Sequence, residues 1–334
     1  MSIIRNAGLA LIFLLLIASC SKEPNLSVPK TIDVYIAGTV TAANGKYVAV
    51  YWKNGLITRL TDSTSNASAL GVAINGNDVY VAGNIAVGHA TEAVYWKNGV
   101  ATILGVNTVA KALAISGNDV YVAGINTVGA AYWKNGTLTQ LPGKGSLNDC
   151  EACIVAIGSD VYIAGTINYE AGYWKNATPV QLSSGTSGNL RISCIAVNGA
   201  DVYVGGTTDL TSNIAYWKNN TVTVLPQQSY GTGPSAMVVR GNDVYLAGNA
   251  LGANGFEVAT YWKNNTATLL SNGMFASRAN GLSVVDNIVY VTIGNNQWAS
   301  GADNLTNGFF YTNGITKILA NSVSNAYGIA VLQH

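Results

Sequence analysis

From about residue 31 to the C-terminus, short apolar runs alternate with small clusters of glycine, asparagine and aspartate. Apolar runs of four to eight residues bounded by turn formers predict strands rather than helices. The pattern is also periodic. The motif Asp-Val-Tyr, followed by small residues, recurs with its tyrosine at positions 35, 80, 121, 162, 203 and 245. A degenerate copy places Tyr290 seventh, so the successive spacings are 45, 41, 41, 41, 42 and 45 residues. A second motif, Tyr-Trp-Lys-Asn, follows each of the first six, with Trp52, Trp96, Trp133, Trp174, Trp217 and Trp262. In the seventh unit it decays to Phe310-Tyr311-Thr312-Asn313-Gly314.

Turn chemistry divides each unit into strands. Residues 112–116 face 120–123 across Gly117-Asn118-Asp119, and residues 131–134 face 137–140 across Asn135-Gly136. Asn-Gly between apolar runs is a strong hairpin signal, because both residues tolerate positive φ and match the strand twist. The unit is therefore four antiparallel strands, and four-strand repeats of about 40–45 residues predict propeller blades. Runs such as Val79-Tyr80-Val81-Ala82 are apolar on both faces, which suits sheets covered on both sides by neighbours. In the first strand, Gly71/Ala73, Ala112/Ala114 and Cys194/Ala196 form a small face. Val72/Ile74, Leu113/Ile115 and Ile195/Val197 form a large one, and small meeting large lets blades interdigitate.

The first Asp33-Val34-Tyr35 has no first strand before it, and residues 325–332 read as a first strand with no second strand after it. Joining the two completes the seventh sheet and removes the open edge. The expected fold is all-β: a seven-bladed β-propeller of four-stranded antiparallel blades, its ring closed by the C-terminal strand joining the N-terminal blade. Val-Tyr-Val-Ala-Gly followed by an aromatic third strand resembles the kelch propeller repeat, loosely and over about residues 31–334. The glycine pair of that family is complete only at Gly205-Gly206, and the tryptophan sits on the third strand rather than the fourth. The resemblance implies shared architecture and carries over no catalytic residue.

The N-terminus has a different character. Arg5, an apolar run over residues 9–17 and the small residues Ala18 and Ser19 fit a signal peptide, and the run is half of what a membrane-spanning helix needs. Ile17-Ala18-Ser19-Cys20 resembles the lipobox of bacterial lipoproteins, a family in which the cysteine becomes the lipidated mature N-terminus. That resemblance implies a signal peptide over residues 1–19, lipidation at Cys20 with a tether to residue 30, and the propeller over 31–334. The chain would then be exported and held at the outer membrane by its lipid alone, facing the periplasm or the cell surface.

Composition narrows the chemistry. Seventeen basic against 16 acidic residues give a formal +1, and only 10% of the 334 residues are charged, so no basic footprint for nucleic acid is present. Two histidines and four cysteines leave little material for a metal cage, and no cofactor is expected. The recurring Tyr and Trp are read as inter-blade core, and the recurring Asp and Lys as turn residues. What varies between blades lies in the second-to-third-strand loops and the loops between blades, and variable loops on a rigid scaffold carry binding. These give the ligand-contact candidates Trp298, Asp303, Tyr230, Arg278, Tyr327 and Arg191, with Lys111 and Phe275 beside them at the channel mouth.

No nucleophile–base set emerges, and His89 stands alone. The expected function is non-enzymatic: an envelope protein that binds a glycan, a peptide or a partner protein. The alternatives are a carbohydrate-active hydrolase or lyase, requiring some of Glu92, Glu170, Asp209, Glu257 and Asp303 to converge, or a structural surface protein with no small ligand. Cys153 and Cys194 take the same register in adjacent blades, where sheets stand about 10 Å apart, which disfavours a bridge between them. Cys150 and Cys153 are close enough in sequence to close locally.

Overall fold

The structure is a computed structural model, and it describes residues 30–147, 150, 152–182, 191–208, 213–225, 233–273, 276–295, 308–319 and 324–334. The chain divides into Met1–Thr31 and the compact unit Ile32–His334. The second unit is all strand, arranged as seven antiparallel sheets in sequence order. Five blades run first to fourth strand without interruption, as in Ala67–Asn75, Asp78–Val87, Ala90–Lys97 and Val100–Val106, and in a sixth the first strand is split into Gly145–Ser146 and Ile154–Ile157, both paired with Asp160–Ile167. The remaining blade takes its first strand from the other end of the chain. Ser324–Gln333 pairs with Ile32–Thr41, with Val34 opposite Val331 and Asp33 opposite Leu332. The expected ring closure is therefore present, and Trp52 of this blade packs in one buried cluster with Leu319 of the last.

First strands of successive blades contact one another around the ring, while fourth strands such as Leu56–Arg59 are exposed along their length. The first strand is thus innermost and the fourth is the rim. Second strands are buried on both faces, as in Asp201–Thr208, which explains why their sequences do not alternate. All six repeated tryptophans are at most 3% exposed, and buried clusters run across blades, joining Tyr121, Trp174 and Trp217. That burial matches their reading as core rather than as a surface platform.

The repeated polar residues meet each other. In blade after blade the lysine of Tyr-Trp-Lys-Asn reaches the aspartate of Asp-Val-Tyr at 2.7–3.0 Å, in six pairs from Lys53–Asp33 to Lys263–Asp243. The asparagine beside each lysine has a positive φ near 50°, opens the third-to-fourth turn, and donates its Nδ2 to the same carboxylate. Its Oδ1 accepts the backbone N–H of the valine after that aspartate, as Asn135 does from Val120 at 2.8 Å. Each lysine Nζ also stands 5.1–5.5 Å over the second-strand tyrosine ring. One cluster therefore ties two hairpin turns of a blade together. The seventh blade has Ile288 and Thr312 at the aspartate and lysine positions and lacks it.

Neighbouring blades are stitched at the inner turns. Asn75 donates to the Gly117 carbonyl, Ser116 to Gly158, Asn198 to Gly241 and Arg240 to Val284, each from the end of one inner strand to the next blade. Gln333 donates to Asp286 at 2.6 Å and so joins the closing strand to the last blade.

Candidate functional site

The other end of each inner strand builds the site. In six blades the pairing of first with second strand slips by one residue, and the register skips Leu70, Lys111, Ser193, Ser235, Asn280 and Tyr327. Such bulges re-aim a side chain out of the pleat. In five of these six blades the bulge lies against the glycine three residues after the repeated tyrosine. A Cβ on Gly83 would lie 1.9 Å from the Ser68 carbonyl oxygen, and one on Gly124 2.1 Å from that of Val109. The seventh blade makes the same bulge with Ile293 at this position, opposite Ala279.

In the fourth blade the inner strand is short, Ile154–Ile157, and Ala152 takes the equivalent place. It leaves its own sheet and forms a parallel bridge to Cys194 of the fifth blade: its N–H donates to Ser193, and its carbonyl accepts from Ile195. The disulfide Cys150–Cys153, with Cα atoms 5.3 Å apart, encloses this residue, and Cys194 is buried and takes no part in a disulfide. The local closure of Cys150 with Cys153 is as expected, whereas the sheet spacing of about 10 Å does not hold here, because Ala152 and Cys194 pair backbone to backbone. Ala152 thereby lies against the inner strand of the fifth blade, none of whose residues reach the axial cavity.

That cavity, about 560 Å³, opens along the axis and is lined by bulge residues Leu70, Lys111, Ala152, Asn280 and Tyr327, together with Arg278. The serines at the two remaining bulges turn sideways instead. Ser193 donates to the Pro234 carbonyl and Ser235 to that of Ala279, and Asn280 continues the series to Ala326. Among the described lining residues, the two charged side chains, Lys111 and Arg278, are both cationic. They come from the third and seventh blades, nearly opposite on a ring of seven, and each is already engaged with a neighbour. A second hollow of about 410 Å³ lies between the first two blades and is uncharged among its described residues, with Tyr47, Asn66, Ser68 and Asn84 in its wall. Asn325 and Tyr327 line both spaces, so the groove and the axial cavity share a wall.

The structure brings Arg278 and Tyr327 together with Lys111. It leaves Arg191 exposed beside Thr207 and away from the cavity lining. Trp298, Asp303, Tyr230, Phe275, Asp209 and Cys20 lie outside the described residues. Glu92, Glu170, Glu257 and His89 are not among the lining residues, and Glu257 accepts a hydrogen bond from Asn249 at 3.2 Å. Among the described residues, no three His, Cys, Asp or Glu side chains are placed to hold a metal ion. Sequence reasoning did not single out Asn280 or Asn325. The signal was there: the bulge residue stands eight positions before the start of the second strand, and it is Leu, Lys, Ala, Ser, Ser and Asn in blades two to seven.

No protein-family model and no curated protein matches the chain. Among solved structures, TolB from Acinetobacter baumannii is similar at a TM-score of 0.46 and 8% identity, over 89% of this chain and 66% of that one. A chain of the nidogen/laminin complex gives 0.40 and 10% over 90% and 98%, and a prolyl endopeptidase gives 0.41 and 9% over 80% and 46%.

Proposed function

We propose that the protein is a lipid-anchored, non-enzymatic binding protein of the bacterial cell envelope, and that it recognises a glycan at the axial mouth of its propeller. The observation that carries this reading is the wall that the two hollows share at Asn325 and Tyr327. A groove rich in amide and hydroxyl groups and uncharged among its described residues, with the exposed ring of Tyr47 at its edge, stands beside the larger axial cavity. Hydrogen-bonding groups beside aromatic faces suit polyhydroxylated ligands, and a volume of about 560 Å³ lies within the ordinary range of small-ligand sites. The anchor rests on the lipobox resemblance at Cys20, and the ring itself supplies no other long apolar segment. A peptide or protein ligand, and a hydrolase or lyase acting through acids on the loops, are the competing proposals.

A glycan array probed with the purified protein tests the reading. Binding is expected, and Tyr327→Ala should weaken it about tenfold or more, since this ring borders both hollows. Absence of glycan binding, or release of cleaved sugar during incubation, would overturn it.

A further inference from the structure

We infer that the bound glycan carries a short uncharged apolar group, an alkyl, aryl or acyl substituent, which enters the axial cavity and is held there by a belt of apolar side chains beneath the mouth. The inference deepens the reading above and rests on it. Three features carry it.

The first is the belt. Two residues past the bulge position, every inner strand carries a large apolar residue. Six of these, Val72, Leu113, Ile154, Met237, Leu282 and Ile329, line the axial cavity. The seventh, Ile195, donates its N–H to Ala152, is buried and does not line it. The strand register sets the level. Leu113 stands opposite Val122, Met237 opposite Leu246 and Ile329 opposite Ile36, in each case the residue after the repeated tyrosine.

The second is depth. No described lining residue lies further along its inner strand than the belt. Mouth and belt are two residues apart, roughly 7 Å at the rise of a strand. Between them the wall is Gly71, Ala112, Ala236, Gly281 and Gly328, so no large side chain stands in the way. The polar side chains of the described lining, Lys111, Arg278, Asn280, Asn325 and Tyr327, all stand at the bulge or before it. Lys111 and Arg278 are each engaged with a neighbour and are given no part in holding the ligand. Leu113 and Ile329 remain partly exposed although they belong to innermost strands, and the cavity is the space they line. An apolar bottom beneath a few polar groups is the ordinary make-up of a small-ligand cavity. It selects an amphiphile. An apolar group gains by leaving water there, whereas a hydroxyl would leave its water without a side chain at the belt to replace it.

The third is the closing strand. Asn325 and Tyr327 border both hollows, and Ile329 belongs to the belt. Within five residues the wall passes from amide and phenol to aliphatic. A ligand that follows this wall is polar where it meets the groove and apolar where it meets the axis.

Calorimetry with the methyl and n-hexyl glycosides of glucose, galactose, mannose and N-acetylglucosamine, below micelle-forming concentrations, isolates the apolar group without altering the sugar. The hexyl forms should bind at least about tenfold more tightly than the methyl forms, since each methylene that reaches the belt is worth about two- to fourfold. Their heat-capacity change on binding should be the more negative, and the preference should not weaken as salt is added. Leu113→Asn should remove most of the preference, and Leu113→Met should keep it. The hexyl–methyl comparison on the unmodified protein does not depend on any variant folding. Equal binding of hexyl and methyl forms would overturn the inference and leave the glycan reading standing. If none of these glycosides binds, the inference falls and the array alone decides the glycan reading. If hexanol without a sugar binds as tightly as the hexyl glycosides, the seat belongs to a plain apolar molecule and both fall.

Discussion

The aspartate of Asp-Val-Tyr and the lysine of Tyr-Trp-Lys-Asn are 15 to 20 residues apart in sequence, and each recurs so regularly that both read as turn residues. What the sequence does not display is that they meet. The hairpin geometry brings them together, and the meeting has a pH signature. Lys53 foremost, then Asn54, hold Asp33 down to about 2, with His334 adding to the effect and burial opposing it. In Asp78, Asp119, Asp201 and Asp243 the lysine is again the main cause of a lowered pKa, and in Asp160 it is Asn176. A carboxylate whose folded pKa lies below its unfolded one stabilises the fold above about pH 4 and loses that contribution as pH falls through the folded value. The melting temperature should therefore be flat from neutrality to about pH 4 and drop towards pH 2. Asp119→Asn should melt slightly lower at pH 7 and show a shallower acid drop. An acid limb of unchanged steepness would contradict the linkage. The lysines are pushed upward, Lys97 and Lys134 chiefly by their aspartates, so their contribution disappears only on the alkaline side.

Strand identity, turn positions and blade count were all legible in the spacing, because each rests on local chemistry that repeats. The bulge was not. It arises from pairing between two strands, and its marker is a glycine that could equally end a plain strand. Gly124 shows the dependence: an added Cβ would meet the Val109 carbonyl at 2.1 Å and the Trp133 ring at 3.0 Å. Gly124→Ala must straighten the bulge or displace the tryptophan, at a cost of about 1–3 kcal/mol. Chemical denaturation should record that loss, and the change should also disturb binding, because Lys111 is the residue this bulge aims. A variant as stable as the parent would mean that the sheet yields more easily than its packing suggests. The candidate site was half readable for the same reason. Arg278, Tyr327 and Lys111 stood out as blade-specific residues at the mouth. Arg191 did too, yet it sits outside the cavity, since a place in a loop does not fix which way the side chain leaves the chain.

The ring is held by its own ends. Ser324–Gln333 supplies the inner strand of the blade that Ile32–Thr41 begins, and Gln333 also ties that blade to the turn of the last. Deleting residues 324–334 removes this strand and leaves two blades facing a gap. Scanning calorimetry should then lose the single cooperative transition; an intact transition would refute closure as the source of cooperativity. The same strand carries Asn325 and Tyr327, the two residues that border both hollows. A chain growing from its N-terminus therefore holds six finished blades and an unclosed axial cavity until Ser324–Gln333 emerges. Closing the ring and completing the wall of the two hollows are thus one event, and a fragment lacking Ser324–Gln333 would have neither.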